Sequence, residues 1–164
     1  MDISITSGGL TSFAHYCKRT TLSAAGQSLT ANTELTVSLD YEIIDPDGIA
    51  SVAANQITLV ASGKHYISAG VLVYLAAQGD EAYAYWYDVT GSSVVGFPKK
   101  CIGSGAQPFQ MIEPWAWVNP VSANNVYEVR VVGATAGAVG RSTNPCTLAT
   151  ANLDFRNPVF VGKK

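Results

Sequence analysis

This 164-residue sequence is unusually poor in charged residues. Asp, Glu, Lys and Arg make up 13% of it, against about 25% in a typical soluble domain. The net charge is −2, and no basic run is longer than two residues. Nucleic-acid binding through phosphate neutralisation requires many cations on one surface, so we expect no nucleic-acid partner. A shell protein that packages a genome through a basic arm is disfavoured for the same reason.

Long hydrophobic runs are also missing. No fully apolar segment approaches the roughly 20 residues of a membrane span, so we expect no membrane partner. The first residues lack the charged and apolar regions of a secretion leader, which favours synthesis in a reducing cytoplasm. The length fits one domain. We divide the sequence into an N-terminal arm at 1–10 and a folded domain at 11–164.

Cysteine and histidine are too few and too scattered to indicate a catalytic or metal site. Cys17, Cys101 and Cys146 are an odd number at wide spacing, which predicts reduced thiols rather than a disulfide framework. His15 and Cys17 would share a strand face, but their Cβ atoms would be ~7 Å apart. A third group to orient the histidine is also lacking. We therefore expect no enzymatic activity, no metal and no cofactor.

Two acidic segments call for separate interpretation. Residues 45–48, with the sequence Asp-Pro-Asp-Gly, begin like a calcium-binding loop. Gln56 occupies the position where that loop needs an acidic ligand, so the segment predicts a turn instead. Asp80 and Glu81 lie at the tip of a predicted hairpin, where we expect solvated carboxylates. A calcium or inter-subunit contact at this tip is the other interpretation.

The sequence is rich in short alternating runs of apolar and polar residues, separated by Gly, Pro, Asn and Asp. No segment of ten or more residues has a helical period. This pattern predicts an all-β fold, a single jelly-roll sandwich of two antiparallel sheets. Flexible loops are expected at 101–108 and 133–145. Strands are predicted at 12–19, 34–43, 56–60, 65–76, 82–89, 94–99, 109–118, 127–133 and 154–161.

The predicted strand at 65–75 differs from the others because both of its faces are apolar. The strand at 34–43 has one apolar and one polar face, as expected for a half-exposed strand. A strand with two apolar faces is covered twice, by its own core and by another subunit. One face carries Ile67, Ala69, Val71, Val73 and Leu75, and the other carries Tyr66, Ser68, Gly70, Leu72 and Tyr74.

Two aromatic clusters leave three interpretations open: core packing, a subunit interface, or a platform for stacking sugars. A sugar platform usually adds several polar side chains that bind hydroxyl groups, and few lie near the tryptophans. The clusters are Tyr83, Tyr85 and Tyr87 on one strand, and Trp115 and Trp117 on another.

The order of these segments resembles the globular heads of the tumour-necrosis-factor and complement-head superfamily. The resemblance covers roughly residues 30–161. It rests on the alternation at 35–41, the Asp-Gly turn, the strand at 57–59, the Gly-Lys-His-Tyr-Ile-Ser-Ala segment at 63–69 and the strand at 126–131. It implies a compact jelly roll that forms a tight homotrimer through its inner sheet. In that sheet, the resemblance assigns Tyr66, Leu72 and Tyr74 to the trimer interface.

Domains of this kind that are poor in charge and rich in Ala, Ser, Thr and Gly resemble bacteriophage virion proteins. The resemblance implies a capsid decoration or cement trimer, made in the host cytoplasm and bound to the exterior of the capsid. Its partners would be its own copies and the major capsid protein. The alternative is the receptor- or glycan-binding head of a phage fibre. Capsid contacts are expected from the arm residues Met1, Asp2, Ile3, Ser4 and Ile5.

Overall fold

The computed structural model describes residues 9–21, 26–60, 62–104, 109–135, 137–139 and 153–164. Every regular element in these ranges is a strand, so the all-β prediction is confirmed. Within the same ranges, no helix is long and apolar enough to cross a membrane. The strands are β1 (Ser12–Thr21), β2 (Gln27–Leu29), β3 (Glu34–Thr36), β4 (Tyr41–Ile44), β5 (Ala50–Ala53), β6 (Gln56–Leu59), β7 (His65–Ala69), β8 (Val71–Tyr74), β9 (Glu81–Asp88), β10 (Ser93–Ile102), β11 (Phe109–Ile112), β12 (Trp115–Val118), β13 (Asn125–Gly133), β14 (Gly137–Val139) and β15 (Leu153–Lys163).

The strands form two antiparallel layers. The first layer has the order β4-β1-β15-β7-β12. A four-stranded sheet of order β2-β14-β8-β11 extends this layer, because β8 directly follows β7 and β11 directly precedes β12 along the chain. The second layer has the order β10-β9-β13-β6-β5, with β3 also paired to β13. A pairing between Phe97 and Trp115 joins β10 to β12 and closes one side of the sandwich. The predicted two-sheet sandwich is therefore confirmed.

Alternate residues of the two layers fill one core. Ile67 and Val71 of the first layer and Val129 of the second are fully buried. Each such side chain contributes about 1.5–3 kcal/mol by leaving water. Trp86 is also fully buried, and its Nε1 donates a hydrogen bond to the carbonyl of Pro114 at 3.2 Å. The polar atom of the largest core side chain is thus satisfied.

The prediction of one strand at 34–43 is wrong, because the chain crosses between layers there. β3 pairs with β13 and β4 pairs with β1. Between them, the backbone N–H of Ser38 donates to Gln27 Oε1 at 2.7 Å, and that of Leu39 donates to Asn55 Oδ1 at 3.2 Å. These side-chain amides replace the missing ladder bonds. As a result, Ile43 lies beyond the crossing and is 45% exposed.

Three further predicted boundaries also change. Gly70 divides the strand predicted at 65–76, where a Cβ atom would lie 3.1 Å from Pro158 Cγ. Pro114, which has no N–H to donate, separates β11 from β12 within the strand predicted at 109–118. The loop predicted at 133–145 contains β14, and residues 140–152 lie outside the described ranges. Asn157, at φ 52°, lies where the pairing of β1 with β15 shifts register.

Candidate functional site

The outer face of the first layer carries several large exposed apolar side chains. On β7 and β8, the predicted core face is confirmed, since Ile67, Val71 and Val73 are fully buried. The opposite face is half-buried from Tyr66 to Tyr74. The division between the two faces therefore follows the alternation of the sequence.

Six aromatic side chains run in line across this outer face, from β10 over β12, β7 and β15 to β1. We call them the aromatic stripe. Ring centroids are 5.1 Å apart between Phe97 and Trp115, 6.2 Å between Trp115 and Tyr66, and 5.3 Å between Tyr66 and Trp117. These separations are typical of favourable aromatic pairs. The members are Phe97, Trp115, Trp117, Tyr66, Phe160 and Phe13.

Much of the stripe is open to solvent. Phe97 is 62% exposed, Trp117 46% and Phe13 43%. The rings contact one another rather than the core, so several large apolar surfaces form one patch. A contiguous patch of this kind is typical of a surface that another molecule covers.

Backbone geometry holds Phe97 at the end of the stripe. The preceding Gly96 has φ 71°, in the left-handed region, and the pairing of β10 with β9 shifts register at this point. A Cβ atom on Gly96 would lie 2.3 Å from the carbonyl oxygen of Trp115. Only glycine fits here, because both the φ angle and the close approach exclude a side chain. The bulge turns Phe97 onto the outer face beside Trp115.

The three predicted interface residues lie on this face, but only one belongs to the stripe. Tyr66 is at its centre. Leu72 and Tyr74 lie on β8, where the layer continues, and Leu72 pairs with Met111, which is 52% exposed. The face predicted from the sequence therefore extends beyond the stripe. The predicted capsid-contact residues at 1–5 lie outside the described residues.

A groove of about 630 Å³ opens on the same face, beside the stripe. Trp115, Phe160 and Pro158 supply apolar walls, and Lys99 and Glu113 supply charge. His15 also lines the groove, and partial burial lowers the pKa of its imidazole. A groove of this size and mixed lining is suited to a ligand or to a segment of another chain.

Neither the predicted thiols nor the acidic turn has the properties of a reactive site. Burial, reinforced by Asp40, raises the pKa of the Cys17 thiol to about 11, so the nucleophilic thiolate is scarce at neutral pH. Cys101 is likewise buried and unpaired, and Cys146 lies outside the described residues. Asp45 accepts hydrogen bonds from the Tyr16 hydroxyl and two backbone N–H groups, which confirms the predicted turn. Within the described ranges, no group of three metal-ligating side chains is present.

The tyrosine cluster lies on the outer face of the second layer, where charged groups cover it. The guanidinium of Arg130 lies 3.5 Å from the ring centroid of Tyr87 and pairs with Glu34 and Glu128. The Tyr85 hydroxyl donates to Glu34. Burial and that carboxylate raise the pKa of Tyr85 to about 12. These residues form ion pairs, a hydrogen bond and a cation–π contact with one another, so the cluster is a polar network rather than an open stacking platform.

His65 begins β7, and its imidazole is fully buried. Its Nδ1 lies 2.9 Å from the Gly63 carbonyl, and among the described residues its Nε2 has no hydrogen-bond partner. Burial lowers the pKa of His65, and the nearby Lys163 lowers it further. The side chain belongs to the core-facing side because it precedes Ile67 by two residues.

Comparison with known proteins identifies the fold. No protein-family model and no curated protein sequence matches the chain. Among solved structures, murine APRIL is similar at 10% identity and a TM-score of 0.58, over 92% of this chain and 98% of its own. Vertex protein P5 of the phage PRD1 is similar at 18% identity and a TM-score of 0.57, over 95% and 99%. Eiger TNF from S. frugiperda is similar at 8% identity and a TM-score of 0.58, over 95% and 94%.

The fold is the TNF-like jelly roll. The fold expected from the segment order at 35–41, 57–59 and 63–69 is thereby confirmed. At these low identities the similarity concerns the fold, so the function has to be argued from the surfaces of this chain.

Proposed function

We propose that this protein is a structural component of a phage virion that acts as a homotrimer rather than as an enzyme. The observation that carries the proposal is the exposed aromatic stripe on a jelly roll whose own core is already filled. The fold is shared with a phage vertex protein, which supports a place in the virion. The low content of charge supports a chain whose surface is covered in an assembly.

The trimer contact lies on the outer face of the first layer. In a cyclic trimer, one patch of each copy contacts a different patch of the next copy, so both the stripe and the face beyond it are used. Tyr66, Leu72 and Tyr74 lie on that face, together with Trp117 and Phe97. Aromatic residues at the centre of an interface commonly carry most of its binding energy.

On the capsid, the trimer decorates the exterior and binds the major capsid protein. Three linked contacts give strong attachment even when each is modest. The arm at Met1–Ile5 supplies part of the contact. The reinforcement of neighbouring shell subunits follows from burial of surface and requires no catalytic group.

The alternative role, a receptor- or glycan-binding head of a fibre, is favoured by one observation, the groove lined by Trp115, Phe160, Lys99 and Glu113. Aromatic walls with charged groups are suited to a sugar. If the trimer uses this face, however, the groove becomes part of the subunit contact. We therefore place the decoration role first.

Two measurements test the proposal. The first is the mass of the purified protein in solution, where three copies are expected and Tyr74→Asp is expected to give folded monomers. The second is the addition of protein to particles that lack it. Saturable binding at symmetric capsid sites supports decoration. Binding to bacterial cells without binding to the particles would replace decoration with the receptor role.

A further inference from the structure

The groove on the outer face of the first layer contains a slot between two aromatic walls. Ser68 of β7 pairs with Phe160 of β15 on one side and with Trp115 of β12 on the other. Paired residues of neighbouring strands point to the same face, so the short Ser68 side chain lies between two large rings. Tyr66 closes one end of the slot, because its ring centroid is 6.2 Å from that of Trp115 and 6.5 Å from that of Phe160.

The width of this slot suits one aromatic ring. Neighbouring strands lie about 4.8 Å apart, so the backbones that carry the two walls are about 10 Å apart. A ring placed above Ser68 would lie about 5 Å from both Trp115 and Phe160, within the range of about 4.5–7 Å that favours aromatic pairs. Beyond Ser68, Gly70 adds no side chain to the groove, and a Cβ atom there would lie 3.1 Å from Pro158 Cγ. The floor of the groove is therefore low along β7.

The charges that line the groove nearly cancel. Lys99 and Glu113 carry one charge of each sign, and Lys100 already pairs with Glu81. Partial burial lowers the pKa of His15, so its imidazole is neutral at about pH 7. The groove therefore offers little attraction to a charged ligand, and it does not repel an uncharged ring.

Phe97 is the most exposed ring of the stripe, at 62%. Within the described residues, its one ring contact is with Trp115, and the bulge at Gly96 holds it on the outer face. The slot of its own chain is out of reach. Strand β12 separates Phe97 from Ser68, so their Cα atoms are about 10 Å apart. One chain thus carries both a projecting ring and an open slot, which it cannot join within itself.

We propose that Phe97 of one subunit inserts into the slot above Ser68 of the next subunit, so that each groove is completed by its neighbour. This inference rests on the proposed trimer and names the contact that holds it. Ring and slot are different patches of one face, as a head-to-tail cyclic contact requires. Three such contacts close the trimer, and each projecting Phe97 is then covered.

A second copy fits the groove better than a small ligand does. A saccharide in the slot would leave Phe97 uncovered, whereas insertion buries Phe97 together with the walls formed by Trp115 and Phe160. Aromatic side chains inserted into pockets at the centre of an interface commonly dominate its binding energy. The groove is then closed in the assembly and is not available to a glycan.

The first test determines whether ring and slot act as one contact. Ser68→Phe fills the slot from its own chain, Phe97→Ala removes the ring, and analytical ultracentrifugation measures association. We expect Ser68→Phe to weaken association by about tenfold or more, because an overfilled site no longer accepts its partner. In the Phe97→Ala background it should add less than about twofold. The matched control is Ser51→Phe, at an exposed serine of β5 in the second layer, which should leave association unchanged.

The second test locates the ring directly. The variant Ser68→Cys/Phe97→Cys is made in a Cys146→Ser background, oxidised at a concentration where its mass is that of a trimer, and separated on a denaturing gel. Within one chain the two positions are beyond the Cα separation of about 7 Å that a disulfide spans, so a bridge forms only between subunits. We expect linked dimers and trimers from this variant and no links from either single cysteine.

The outcomes separate this inference from the proposed function. A wild-type protein that stays monomeric at all concentrations overturns the trimer, and the inserted ring falls with it. If the wild-type protein is a trimer, full multiplication of the two losses or the absence of links refutes only the insertion. Links formed by Phe97→Cys alone would place the rings against each other and refute it as well. Thermal unfolding shows which variants keep the fold, and Ser68→Cys keeps the link test decisive if Ser68→Phe unfolds the protein.

Discussion

The assembly proposed for this protein can be tested most sharply at Phe97. The side chain is 62% exposed and contacts the ring of Trp115 at the end of the stripe. A phenylalanine side chain buries about 200 Å² when fully covered. Association would therefore remove about 125 Å² from water, worth about 3 kcal/mol per copy at 25 cal/mol per Å². We expect Phe97→Ala to weaken each subunit contact by about 2–3 kcal/mol, or about 30- to 200-fold.

The same change should have little effect on the fold of one subunit. Loss of the Phe97 ring removes one aromatic pair, that with Trp115, which is worth about 0.5–1.5 kcal/mol. The assay is analytical ultracentrifugation over a concentration series, with chemical unfolding measured in parallel. Ile102→Ser is the matched control, because Ile102 lies on the same strand and is 52% exposed but belongs to the outer face of the second layer. A trimer unaffected by Phe97→Ala, or equally weakened by Ile102→Ser, would refute the assignment of the stripe as the interface.

Three further predictions concern the fold that presents this surface. Gly96→Ala should destabilise the protein by several kcal/mol in thermal unfolding, because its Cβ would lie 2.3 Å from a carbonyl oxygen of β12. Gly48→Ala, with a similar φ of 59° but open space around it, should cost only about 1 kcal/mol. Since burial holds the pKa of His65 below its unfolded value of 6.5, the unfolded chain binds more protons there. The free energy of unfolding should therefore fall as pH drops through about 6.5 and level off below the folded pKa. His65→Gln should reduce this dependence, leaving the part that the lowered pKa of His15 contributes. Finally, burial raises the pKa of Cys17 and Cys101. The test uses the variant Cys146→Ser, which keeps only Cys17 and Cys101. At pH 8, the urea-unfolded variant should react with two equivalents of a thiol reagent, and the native variant should react with none in the same time.

Each of these predictions has a contrary outcome. If Gly96→Ala and Gly48→Ala lower the free energy of unfolding equally, the close approach of Gly96 to β12 does not restrict the side chain at position 96. A stability that does not change between pH 7.5 and 5 would contradict the burial of a neutral His65. Fast labelling of native thiols would show that Cys17 or Cys101 is accessible.

Much of the fold could be predicted because the alternation of apolar and polar residues is a local property. The core face from Ile67 to Leu75 was assigned correctly from period-two alternation alone. The crossing between layers at 37–40 was not predicted. There, the side chains of Gln27 and Asn55 accept the backbone hydrogen bonds that a neighbouring strand would otherwise accept, and both residues are more than ten positions away in sequence. The burial of His65 could not be predicted, for a related reason. A polar residue at a strand start gives no sign of which neighbours will cover it.

The candidate site could be predicted only in part. Tyr66, Leu72 and Tyr74 follow from the second apolar face of one strand, a signal present in 11 consecutive residues. Phe13, Phe97 and Phe160 gave no such signal, since none of them belongs to an alternating run of aromatic residues along its strand. What brings them together is the pairing of β10, β12, β7, β15 and β1.

The sequence by itself determined that this chain is an all-β protein, poor in charge, with one strand that needs cover on both sides. These properties depend on composition and on the two-residue period of a strand, which are both local. Only the tertiary structure decided that six rings from five strands form one stripe. The stripe depends on antiparallel pairing between distant segments, and this pairing is set by the packing of the whole core rather than by any one strand.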